Sequence, residues 1–297
     1  MIPYQIITVS VMVGILLLTG QASAGWVIDQ VSGLPSGAVA EESRQQLILQ
    51  ANRMKTLIYE PAPVGTVGKP VSAFIWDFNA ETVTQVDYQK RRYATAPFQD
   101  YFKMIQGPNQ MEQAMKQMQE ALKGLPPEQR KMMEQRMRSQ MEQAQPPPQT
   151  APAARVEIRK TDEQKIIAGH PAVRYDIVVD GSPDWAIWIA NDITPWKEFD
   201  PKKLKRFGAE MAKAMGCVSG PRANAMDCVS GPGALGLHGD DPAWKPATEG
   251  YPVQMDTHGG GGGYRVIKAE SRMVPAAEFQ PPAGFARKTL QEMTATP

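Results

Sequence analysis

The chain has 297 residues, with 32 Lys and Arg against 31 Asp and Glu and a formal net charge of +1. So even a balance gives no general electrostatic hold on nucleic acid or on an anionic membrane surface. Gly and Pro number 25 and 26, a density of punctuation that suits many short strands with insertions.

The first residues are MIPYQIITVSVMVGILLLTGQASA, with an apolar run from Ile6 to Leu18. That run is shorter than the roughly 20 residues a bilayer span needs. It ends in Ala22-Ser23-Ala24, a small-x-small cleavage site, so residues 1–24 read as a secretory signal peptide cut between Ala24 and Gly25. The start carries no Lys or Arg, which keeps an uncleaved anchor as the alternative. No Cys follows the small residues, which argues against a lipid-anchored lipoprotein. The expectation is an exported protein, periplasmic or secreted, of residues 25–297 with no stable membrane span once the signal is removed.

The mature chain then reads as a series of strands. Trp26 to Gln30 comes first. Arg44 to Gln50 and Met54 to Tyr59 form a hairpin about Ala51-Asn52-Arg53. Pro61 to Pro70 is a loop. Ser72 to Phe78, Thr82 to Asp87 and Arg92 to Ala94 continue the meander. Later, Ile166 to Ala190 reads as two antiparallel strands around Asp180-Gly181-Ser182-Pro183. Val173, Tyr175, Ile177 and Val179 share one face there, and Trp185, Ile187 and Ile189 alternate with Ala186, Trp188 and Ala190. Pro252 to Asp256 and Tyr264 to Ala269 make a last hairpin across Gly259 to Gly263. The tail, Val274 to Lys288, is expected as extended chain along an edge.

Between the strands the period changes. Met111, Met115, Met118 and Leu122 mark one helical face, and Met133, Met137, Met141 and Ala144 a second. Gly124 separates them and Pro146-Pro147-Pro148 ends the second, so residues 108–145 read as an inserted αα-hairpin. A Pro/Ala/Gln linker joins it to a strand over Val156 to Ile167. Asp200-Pro201 opens a third helix, as N-cap and N1, with Leu204, Phe207, Met211 and Met215 on one face. Its first turn holds Lys202, Lys203, Lys205 and Arg206. Cations there oppose the helix dipole, so they are either solvated or face an anionic partner. Residues 216–249 are Gly- and Pro-rich and read as irregular.

Three blocks, Ala73 to Pro97, Ile166 to Asp192 and Gly250 to Phe285, carry a resemblance. The residues are Asp87, Lys90, Arg91, Tyr93, Ile167, Ala168, Gly169, Tyr175, Trp188, Ile189, Ala190, Gly250, Pro252, Val253, Phe279, Pro282, Gly284 and Phe285. With the Met-rich helices between them, the chain resembles the bacterial exported proteins called domain of unknown function 4412. More distantly, its strand pattern is similar to periplasmic lipoprotein-carrier (LolA-like) proteins. That likeness implies a curved, incompletely closed antiparallel sheet with helices over its mouth. The family supplies no catalytic residues. The fold expected is α+β, mainly β. It is a half-open barrel in one discontinuous domain, with a helical insertion at 108–145 and a helix plus irregular insertion at 200–249.

The chemistry in the sequence is sparse. Cys217 and Cys228 stand in a duplicated CVSGP pentapeptide, and a disulfide is the expectation for an exported chain. Free thiols and a metal site are the alternatives. The histidines, His170, His238 and His258, have no ligand spacing. Gly259 to Gly263 leads into no helix and no Lys-Ser/Thr, so it is not a phosphate loop. The methionine stripes leave three readings open: plain core, a deformable cover for apolar ligands, or soft ligands for Cu(I).

The function expected is therefore non-enzymatic, a binding or carrier protein for an apolar or lipid-like ligand with no cofactor. The candidate ligand-facing residues are Met111, Met115, Met118, Met133, Met137, Met211, Met215, Trp185 and Trp188, in a cavity between the sheet and its helices. A Met-rich copper-binding protein and a module that docks a protein partner are the alternatives.

Overall fold

The structure is a computed structural model that describes residues 24–32, 41–105, 156–214, 250–257 and 263–294. The signal segment, the αα-hairpin with Met111, Met115, Met118, Met133 and Met137, and the 216–249 segment with Cys217 and Cys228 lie outside the described residues. So do Met215, His258 and most of the glycine run.

The described chain is mostly strand. β1 (Gly25–Ser32), β2 (Glu41–Gln50), β3 (Arg53–Tyr59), β4 (Ala62–Pro63), β5 (Pro70–Asp77), β6 (Thr82–Asp87) and β7 (Arg92–Pro97) lead into helix α1 (Phe98–Ile105). β8 (Val156–Ile167), β9 (His170–Val179) and β10 (Ser182–Ala190) follow. After a 3₁₀ turn at Pro195–Glu198 comes α2 (Pro201–Ala214). β11 (Tyr251–Thr257), β12 (Tyr264–Arg272), a second 3₁₀ turn (Ala276–Phe279), β13 (Ala286–Arg287) and α3 (Leu290–Thr294) complete it.

All thirteen strands belong to one sheet, in the order β13-β7-β6-β5-β3-β2-β1-β12-β11-β10-β9-β8, with β4 added beside β2. Neighbours are antiparallel except β13 and β7, which run parallel. The sheet does not close on itself, because β8 and β13 stand at opposite ends of the order.

Local chemistry fixes this meander. Three hairpins turn on two residues at positive φ: Ala51-Asn52, Ala168-Gly169 and Asp180-Gly181. Such loops match the twist of the strands they join. The β5–β6 and β6–β7 turns use another device. Asp77 Oδ1 accepts the N–H groups of Asn79 and Ala80, and Asp87 Oδ1 accepts that of Lys90. The chain then returns through Glu81 and Arg91, both at positive φ. Gly250 marks a close approach, since a Cβ there would stand 2.5 Å from the Ala190 carbonyl oxygen.

Three differences from the sequence reading have physical causes. Ile166 to Ala190 holds the end of one strand and two whole ones, because Ala168-Gly169 makes a turn of its own. The tail is not simply extended. Val274 and Phe279 pack with Val27, Ile48, Ala73, Ile75 and Val86 on a sheet face, and only Ala286–Arg287 joins the edge. Finally, β10 is apolar on both faces. Every residue from Trp185 to Ala190 is buried, and the strand, between β9 and β11, gives side chains to a separate apolar cluster on each face.

Candidate functional site

Helices α1 and α2 lie side by side over one face of the sheet, at the end where β5 turns into β6. The sequence sets α2 there in steps. Asp200 Oδ1 accepts the N–H groups of Lys202 and Lys203, which caps the helix. Those two backbone bonds hold the Asp200 carboxyl below its ordinary pKa. The Asp200 N–H donates to Asn52 Oδ1 at 2.6 Å, and the Asn52 N–H donates to the Glu198 carbonyl at 2.7 Å. The β2–β3 turn thus holds the start of the helix. Further along, Lys203 Nζ donates to Asn79 Oδ1 at 3.0 Å, and Arg206 pairs with Glu81. Both partners sit in the β5–β6 turn.

Phe207 projects from α2 into a group of aromatic rings. Its centroid lies 4.8 Å from Phe78, 5.2 Å from Trp76 and from Phe98, and 5.7 Å from Phe102. Phe98 and Phe102 are one turn apart on α1, and Phe199 meets Phe78 at 5.0 Å. Offset and edge-on rings at such distances gain energy beyond simple burial.

Beside these rings is a groove of about 350 Å³, reached by the edges of Phe78, Phe98, Phe102 and Phe207, each of them less than a tenth exposed. That volume falls within the range of small-molecule sites, about 300–1,000 Å³. Polar side chains form its rim. Lys103 comes from α1, and Lys203, Arg206, Glu210 and Lys213 from α2, while Glu81 comes from the β5–β6 turn. Four cations thus face two carboxylates. Asp100, off the lining, pairs with Lys103 at 3.5 Å.

The residues picked from sequence fall elsewhere in the described structure. Met211 is half-buried against the same apolar cluster as the groove floor. Trp188 is in that cluster as well, with its indole N–H donating to Asp256 Oδ2 at 3.1 Å. The ammonium of Lys165 stands 3.8 Å over its ring, and burial lowers that lysine's pKa. Trp185 belongs to a separate cluster with Tyr175, Ile177, Ile187, Ile189 and Met255. That second cluster is the apolar face read from the sequence, and no residue of α1 or α2 is part of it. The helices cover the opposite side, with Ala172, Trp188 and Ala190. Neither tryptophan lines the groove.

The sequence signal for this aromatic group is slight: Phe98 and Phe102 stand at i and i+4 directly after Pro97.

His170 pairs with a carboxylate. Its Nδ1 lies 2.8 Å from Asp192 Oδ2 and its Nε2 3.2 Å from the Ala269 carbonyl. Both ring nitrogens are thereby engaged, and the Nε2 contact ties the start of β9 to β12. Among the described residues no group of three or more His, Cys, Asp or Glu is placed to hold a metal. None of their helices is long and apolar enough to cross a membrane.

No family model matches the chain, and no curated protein matches it. Among solved structures, one of PNGF-II in a C2 space group is similar at a TM-score of 0.34 and 9% identity. The alignment covers 91% of this chain and 32% of that one, so the chain spans about a third of its length. A likeness that slight carries no argument about function.

Proposed function

We propose that this is an exported, non-enzymatic binding or carrier protein for an apolar, lipid-like ligand, and that the ligand lies in the groove between α1 and α2. The observation that carries this reading is the groove's construction, four aromatic rings beneath a polar rim. Burial of each methylene against such a floor contributes about 0.8 kcal/mol. Association costs at least about 4 kcal/mol, so an acyl chain must bury several methylenes before it is held.

The rest of the reading is consistent with this. The sheet acts as a half-open barrel, and the αα-hairpin of residues 108–145 is a further, methionine-rich cover. Cleavage between Ala24 and Gly25 frees the chain into the periplasm, and Cys217 and Cys228 close a loop as a disulfide. Gly25 is the first residue of β1 and pairs with Arg272, so the proposed mature chain starts where the sheet starts. The motif-level resemblance to domain of unknown function 4412 and to lipoprotein carriers supports the same picture.

Native mass spectrometry of the protein purified from its own envelope tests this. The expected species is residues 25–297 carrying a lipid-like adduct. An unprocessed, membrane-pelleting chain would contradict the export reading. A ligand-free chain that binds no fluorescent fatty acid at millimolar concentration would contradict the carrier reading.

A further inference from the structure

We infer that the ligand of this groove is an anionic amphiphile, a single-chain carboxylate or phosphate, with its head on the cationic rim and its chain along the phenylalanine floor. This deepens the carrier reading and rests on it. The charge of the rim carries the inference. Lys103, Lys203, Arg206 and Lys213 line the groove against Glu81 and Glu210, with Asp100 paired to Lys103 and Glu81 to Arg206, in a protein whose formal net charge is only +1.

Two of these cations are held in place by the fold. Lys203 is anchored on Asn79 and Arg206 on Glu81, so both heads stay at the mouth above Phe207. An ionised head docking there gains charge-assisted hydrogen bonds without first ordering long side chains. The floor supplies the second half of the recognition. Four phenylalanine rings offer no hydrogen bond to a polar ligand, so a free anion would meet only the rim.

The test uses the full, delipidated chain and a neutral apolar dye that reports displacement from the groove. Dodecanoate, dodecyl phosphate, dodecanol and inorganic phosphate are titrated separately, each below its aggregation limit. We expect the two anionic amphiphiles to bind about tenfold or more tighter than dodecanol, the scale of a hydrogen bond to a charged group. Salt at 0.5 M should narrow that gap, because the rim is solvent-exposed. Lys203→Gln with Arg206→Gln should bring the affinity ratio towards one, and Lys103→Gln with Lys213→Gln should do so without disturbing the contacts to the β5–β6 turn.

Equal affinity for dodecanol and dodecanoate would overturn the head-group inference and leave the carrier reading standing. Displacement by inorganic phosphate as strong as by dodecyl phosphate would overturn it too, because the chain would then contribute nothing. Failure of every amphiphile would overturn both, leaving the groove to a segment of this chain or to a protein partner.

Discussion

Asp200 shows how single residues set the groove's geometry. Its side chain caps α2, and its own N–H is held by Asn52 in the β2–β3 turn. The carboxyl's pKa is lowered in the folded chain, first by the Lys202 N–H and then by the Lys203 N–H. A group depressed in this way adds stability above its unfolded pKa, and that stability is lost as pH falls through its folded pKa. Asp200→Ala should therefore melt at lower temperature than the parent at neutral pH, and the two curves should converge under acid. Thermal melts from pH 7 down to pH 2 would check this. A gap that stays constant across the range would mean that the ionised cap is not what stabilises the helix. On the opposite face Lys55 Nζ meets Glu278 Oε2 at 3.1 Å, and Arg53 lies 4.7 Å over the Phe279 ring. These contacts pin the tail to the sheet.

At the scale of elements, α1 and α2 are joined through Phe207. The ring touches Trp76 and Phe78 on one side and Phe98 and Phe102 on the other, so its removal opens a cavity where sheet and helices meet. Phe207→Ala should cost about 3–5 kcal/mol of unfolding free energy, the usual range for a buried phenylalanine. Urea unfolding measures it, and a loss below about 1 kcal/mol would show that the helices rest on the sheet independently. How much of this was legible in the sequence differs from element to element. The hairpin at Asp180-Gly181 and the cap at Asp200 were readable because each rests on one or two residues with a local mechanism. Helix α1 was not. Its eight residues follow a strand without a cap, and the longer methionine stripe that begins at Met111 dominates the helical signal nearby. The groove was not legible either. Phe78, Phe98 and Phe102 are separated from Lys203, Arg206 and Phe207 by about a hundred residues, and no spacing rule links them. The α2 cations gave the one hint, read as either solvated or facing an anion.

At the scale of the whole molecule, the two sides of the sheet have different duties. Under β1, β2, β5 and β6 one side is sealed by the tail, through Val274, Phe279 and Phe285. The other side is roofed by α1 and α2, and the groove opens between those helices. On the proposed carrier reading, binding falls to the helical layer, and the sheet with its tail forms the support. The most direct measurement is photo-crosslinking of the delipidated full chain with a diazirine-bearing fatty acid, followed by peptide mapping. Adducts are expected within 98–103 and 203–213, and they should disappear when unlabelled dodecanoate is added in excess. Adducts confined to other parts of the chain, or labelling that dodecanoate does not suppress, would contradict binding in this groove.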